Sequence, residues 1–130
     1  MSEMKFRVWN DLLKNYLPDD SVCILPNGDI VLYNLAAMIA AYRRPSDMLE
    51  GENTVEQFTG LKDKNGTEIY EGDILIDDTG EPIEYWVVKF SDGGFIGECT
   101  GVAEPLFELT NLEVAGNIHE DSELLEEHKK

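Results

Sequence analysis

Carboxylates are the only functional groups abundant enough in this 130-residue chain to suggest chemistry. Glu71, Asp73, Asp77 and Asp78 bracket one apolar stretch, Ile74-Leu75-Ile76, and with Glu81 and Glu84 they make the densest local charge. Hard cations such as Mg²⁺ or Ca²⁺ take oxygen ligands of this kind. The run Asp77-Asp78-Thr79-Gly80, however, lacks the alternation and distal Glu of an EF-hand loop. A catalytic carboxylate pair needs one acid whose pKa burial has raised. Nothing in the pattern buries one of these acids while exposing another. The expectation is therefore turn-forming and solvated acids, with no catalytic, cofactor-binding or metal-ligating residue.

Other chemistries find less support. Gly93-Gly94 leads into strand-like residues without a Lys, which reads as a hairpin turn and not as a phosphate-cradling loop. No G-x-S-x-G, C-x-x-C or H-E-x-x-H occurs. His119 and His128 are spaced too far apart to share one turn of a helix and are expected to be solvent-exposed. Cys23 and Cys99 are expected to be reduced, partly buried thiols, in the absence of a secretory signal. Trp9, Tyr16, Tyr85 and Trp86 would serve as stacking platforms for single strands only beside a basic groove. Near Trp86 the only base is Lys89, so core or subunit-interface aromatics are expected.

Charge narrows the class of function further. The chain holds 27 Asp and Glu against 10 Lys and Arg, a net charge of -17. On the surface of a folded protein of this mass, that is about one net negative charge per ~400 Å². Such a surface repels nucleic-acid phosphate and anionic membranes alike. The charge is uneven: residues 1–46 balance five acids with five bases, and residues 47–84 set twelve acids against Lys62 and Lys64 alone. Hydrophobic residues make up 42%, enough for a core. The longest wholly apolar run, residues 35–41, is far short of the ~20 needed to span a bilayer. The first residues, Met-Ser-Glu-Met-Lys-Phe-Arg, lack the apolar core of a signal peptide.

The elements that must position these groups are mostly short strands. Phe6 and Val8 alternate with polar neighbours, as in a half-buried strand. Residues 22–25 and 30–33 flank Pro26-Asn27-Gly28-Asp29, and Asn-Gly is a strong hairpin signal. Residues 35–44 read as a short helix stopped by Pro45, with a strand as the alternative. Residues 46–54 read as a polar loop. A strand is expected over 55–58, loop and turn over 59–67, and strands over 73–77, 85–90 and 95–99. The last strands are expected at 106–109 and 112–118, with Gly116 a bulge, followed by a helix over 121–129 capped by Ser122. The fold class is α+β, mainly β. A small barrel-like or curled antiparallel sheet is expected, with a short C-terminal helix and one inserted helix as an option. The whole chain, 1–130, reads as one domain with an acidic tail over 118–130.

The order of signals resembles the YopX family, small proteins carried by bacteriophages and prophages, largely of Gram-positive hosts. Phe6-Arg7-Val8-Trp9 opens the match. Phe58-Thr59-Gly60-Leu61-Lys62-Asp63-Lys64-Asn65-Gly66 continues through Glu68-Ile69-Tyr70-Glu71-Gly72-Asp73-Ile74. Val87-Val88-Lys89-Phe90, Asp92-Gly93-Gly94-Phe95 and Glu113-Val114-Ala115-Gly116-Asn117-Ile118 follow in order. Residues 33–57, with Arg43 and Arg44, fit no family pattern. The resemblance implies a phage or prophage origin, a bacterial cytoplasmic setting and a mainly β fold, and it brings no catalytic residue. Trp9, Gly60, Leu61, Asp63, Gly66, Tyr70, Gly72, Asp73, Gly116 and Asn117 are its motif positions, and a fold-building role is expected of them. Glycines there supply backbone freedom, and Asp73 is expected to accept loop amides.

Three functions remain. The favoured one is a non-enzymatic accessory protein that binds an unidentified protein or a second copy of itself, with no direct nucleic-acid or membrane contact. The others are an acidic decoy that occupies the site of a DNA-binding protein, and a carboxylate-metal enzyme.

Overall fold

The computed structural model describes residues 5–17, 22–24, 30–32 and 53–129. These are mostly strands in antiparallel pairings with a short C-terminal α-helix, as the sequence predicts. The chain divides into two compact units: Arg7–Val55, and a larger one made of Met1–Phe6 with Glu56–Lys130.

In the smaller unit, β1 (Phe6–Asn10) pairs with β2 (Asn15–Tyr16), setting Trp9 opposite Tyr16. The buried Asn10 makes the tight reversal between them. Its side-chain oxygen accepts the Leu13 N–H at 2.8 Å, and its carbonyl accepts the Lys14 N–H at 2.9 Å. β3 (Val22–Ile24) and β4 (Ile30–Leu32) pair antiparallel, as the Asn-Gly signal implies. The turn at 26–29, the helix expected over 35–44, and residues 46–52 of the expected polar loop lie outside the described residues. So do the side chains of Cys23 and His128.

In the larger unit, β5 (Asn53–Lys62) pairs with β6 (Glu68–Tyr70). Strand therefore replaces the loop expected at both 53–54 and 59–62. The register shifts between Phe58 and Lys62, where Gly60 sits at φ +86°. β5 takes four steps from Phe58 to Lys62 while β6 takes two from Tyr70 to Glu68, and these two extra residues in an otherwise continuous strand explain why glycine there looks like loop. Lys5 lies alongside, its carbonyl accepting the Phe58 N–H at 2.8 Å and its ammonium 2.6 Å from Glu68.

Next come β7 (Asp73–Asp77), β8 (Glu84–Ser91), β9 (Gly94–Cys99) and β10 (Val102–Pro105), a meander in which each strand pairs with the one before it. β11 (Glu113–Asn117) adds to the other side of β7, giving the order β10-β9-β8-β7-β11. Two-residue turns join β8 to β9 and β9 to β10. Asp92 and Gly93 have φ of +52° and +84°, and Thr100 and Gly101 have +44° and +86°. Positive φ at both central positions matches the right-handed twist of the flanking strands.

One face of this sheet carries the core. Leu75, Trp86, Val88 and Cys99 point inward by strand alternation and pack with Ile69, Leu106, Leu109 and Leu112. Cys99 is thus a buried thiol. Residues 106–109, expected as strand, form a 3₁₀ turn over Leu106–Glu108 instead. Leu106 and Leu109 both bury while Phe107 and Glu108 face out, a period of three that a turn satisfies and a strand does not. Gly116 forms the bulge that was expected, with a register shift between Val114 and Gly116. α1 (Ser122–Lys129) packs on β8. No helix among the described residues is long and apolar enough to cross a membrane.

Candidate functional site

Asp63 organises the first half of the motif. It directly follows β5, is 6% exposed, and has amide donors on both carboxylate oxygens. One oxygen accepts the Asn65 N–H at 2.8 Å and the Thr67 N–H at 2.9 Å, closing the turn into β6. The other accepts the Val114 N–H at 2.8 Å, on the edge of β11 that faces away from β7. The Lys64 N–H to Leu112 carbonyl bond, 3.1 Å, and the Asn65 amide to Glu113 carboxylate bond, 2.9 Å, reinforce the same seam. Burial opposes ionisation of Asp63. The amides of Val114, Thr67 and Asn65, with the Lys64 charge, outweigh it and hold the pKa below the ordinary carboxylate value. Gly66, at φ +83°, supplies the conformation the turn needs.

Gly72 organises the second half. At φ +86° it sits between β6 and β7, its N–H bonded to the Val88 carbonyl at 2.9 Å and its carbonyl to the Ile118 N–H at 2.9 Å. Beside it, Asp73 accepts the Tyr70 N–H at 2.8 Å, as expected, and Glu71 accepts the Gln57 N–H at 2.9 Å. Asn117 ends β11 and turns the chain. Its side-chain oxygen accepts the N–H groups of His119 and Glu120 at 2.9 Å each, while its own N–H goes to Asp121 at 3.0 Å. The Asp121 carboxylate lies so close to Gly116 that a Cβ there would strike it.

At this corner stands a pair that the sequence reading missed. Glu56, 4% exposed in its side chain, meets His119 Nε2 at 2.9 Å, and His119 is 15% exposed, contrary to the solvent exposure expected of it. The Glu56 carboxylate also presses on Gly72, where any Cβ would collide with it. One signal was available: strand alternation that turns Phe58 inward turns Glu56 inward too. For His119 no local signal exists, since its partner is 63 residues away.

The remaining motif residues divide between the units. Trp9, buried in the smaller one, meets Tyr16 edge-on at 5.0 Å. Leu61 packs against the core of the larger unit, and Tyr70 meets the Phe58 ring at 5.5 Å. Of the acids weighed for metal chemistry, Asp77 binds the backbone N–H and hydroxyl of Thr79, which keeps its pKa low. Asp78 is exposed. Among the described residues, no group of three or more His, Cys, Asp or Glu side chains is placed to hold a metal ion. The arrangement is a set of carboxylates and one amide spent on backbone N–H groups, which fixes turns and strand edges.

Away from these corners, apolar side chains stand in solvent. Phe107 is 68% exposed and Phe90 53%. Phe90 packs edge-on against Phe95 at 5.1 Å across the β8–β9 hairpin. Leu61, Phe95, Ile96, Pro105, Leu106 and Phe107 line an open groove of about 400 Å³, together with the turn at Asp92.

The YopX protein family matches residues 5–126, nearly the whole chain. The chain belongs to the YopX family. Among solved structures, the YopX chain is similar to the crystal structure of protein EF1440 from Enterococcus faecalis. The two share 27% identity and a TM-score of 0.60, over 96% of this chain and 99% of that one. No functionally curated protein matches it.

Proposed function

We propose that this YopX protein is a non-enzymatic accessory protein of phage or prophage origin. It acts in the bacterial cytoplasm by binding protein, a second copy of itself included. The observation that carries this reading is the contrast between its polar and apolar side chains. The motif acids Asp63 and Asp73 and their neighbour Glu71 are bonded to backbone amides, which stabilises turns and leaves them ill placed to move a proton or ligate a cation. Phe107, in the lining of an apolar groove, and Phe90, packed on the lining residue Phe95, are in contrast each more than half exposed. Exposed apolar surface of this kind is a feature of interaction sites. Origin and compartment rest on the family resemblance.

Two measurements test the proposal together: sedimentation across a range of concentrations, and affinity capture from bacterial lysate at low and moderate salt. The reading expects either a defined oligomer or a retained protein that survives moderate salt. A strictly monomeric chain that retains nothing would contradict it.

A further inference from the structure

We infer that the groove beside Phe107 is the docking site for a basic partner segment, with an apolar anchor side chain seated between Phe107 and Phe95 and Lys or Arg on either side of it. This rests on the protein-binding reading above and names the surface and the chemistry of the partner.

Three observations converge on that groove. Its walls are apolar: Leu61, Phe95, Leu106 and Phe107 come from β5, β9 and the 3₁₀ turn, so they are held by three separate elements. The most exposed aromatic ring among the described residues, Phe107, stands at its rim. The 3₁₀ turn fixes that ring outward, because Leu106 and Leu109 on either side of it are committed to the core.

The charge around the groove sets the partner's sign. Among the described residues, Asp92 is the only charged one in the lining. Glu104 and Glu108 flank Pro105 and Phe107 along the chain, against Lys62 beside Leu61. The local balance is therefore acidic, within a chain of net charge -17. A second copy would bring the same acids face to face, which like-charge repulsion disfavours. A basic segment gains from the same field, both in steering and in pairing at the rim.

Main-chain pairing is not what this surface offers. β10, the sheet edge next to the groove, has only four residues, and Pro105 gives it no N–H at its end. Short, proline-bearing edges resist strand addition. Recognition therefore falls to side chains, an apolar anchor in the groove with charges around it, the usual layout of a small interface hot spot.

The test uses a displayed library of random short peptides panned against the full chain, with Phe107→Ser and Asp92→Asn proteins in parallel. Phe107 is mostly in solvent, and Asn tolerates the positive φ at position 92, so both variants should keep the wild-type circular dichroism and melting temperature. The inference expects enriched peptides with one large apolar residue flanked by Lys or Arg. It also expects binding about 30-fold weaker to Phe107→Ser, equivalent to about 2 kcal/mol. Asp92→Asn should weaken binding a few-fold and flatten its salt dependence. Peptides that bind wild type and Phe107→Ser equally would overturn the groove assignment while leaving the protein-binding reading in place. Wild-type self-association abolished by Phe107→Ser would give the groove to a second copy and overturn the basic-partner assignment. Enriched peptides without basic residues would do the same.

Discussion

Replacing Asp63 by Ala should damage this fold more than its position in a polar turn suggests. The carboxylate accepts three backbone N–H groups, and a hydrogen bond to a charged group contributes about 1.5–3 kcal/mol. Asn65 and Thr67 are exposed, so their amides regain water and the loss there is about 1 kcal/mol each. Val114 is half-buried on the edge of β11, and losing this acceptor costs about 2 kcal/mol. The total is about 4 kcal/mol. With an unfolding entropy near 2.1 cal/mol/K per residue, that lowers Tm by about 15 °C at pH 7. Asp63→Asn should lie between, because its one acceptor oxygen can serve the turn while its NH₂ faces the Val114 donor.

The pH dependence provides an independent check. Because the folded pKa of Asp63 is lowered, the unfolded chain binds the proton more readily, and stability rises with pH across that interval. The contribution is complete above the unfolded value near ~4 and disappears as pH falls through the folded one. Wild type should therefore lose more stability than Asp63→Asn on acidification below about pH 4. Thermal unfolding followed by circular dichroism measures both effects. An Asp63→Ala protein within about 1 kcal/mol of wild type would refute the reasoning.

Three further outcomes follow from close contacts elsewhere in the larger unit. Gly72→Ala combines a left-handed backbone with a Cβ driven into the Glu56 carboxylate, so a loss of about 3 kcal/mol or more is expected in urea unfolding. His119→Ala removes one partner of a buried carboxylate and should cost about 1–3 kcal/mol, read as a drop in the denaturation midpoint with an unchanged slope. Gly97→Ala puts a methyl group into Leu109 and should cost about 1–3 kcal/mol by thermal unfolding, with binding at the groove retained.

Much of the fold was legible wherever local chemistry sufficed. The Asp92-Gly93 turn, the apolar run at 74–76 and the aromatic and β-branched run at 85–90 each specify a strand or hairpin without outside help. Gly116 was readable as a bulge for the same reason. The misreadings arose where tertiary contacts decide. Thr59 to Lys62 resembles loop because of Gly60, yet pairing with β6 keeps it extended. Residues 106–109 have strand-like composition, but the core claims only Leu106 and Leu109, and a turn is what presents them together. The candidate site divides the same way. Asp73 bonding to a nearby amide follows from short-range turn chemistry. Asp63 reaching Val114 and Glu56 reaching His119 join residues 51 and 63 positions apart, which composition and periodicity do not encode.

The central claim is that the motif builds the scaffold and the apolar groove does the binding. Affinity capture from bacterial lysate, with wild type beside Phe107→Ser at low and at moderate salt, tests it most directly. The account predicts a protein retained by wild type at both salts and lost with Phe107→Ser, while the two proteins melt at the same temperature. Retention that ignores Phe107 would contradict it. So would capture confined to low salt and to DNA-binding proteins, the behaviour of an acidic decoy.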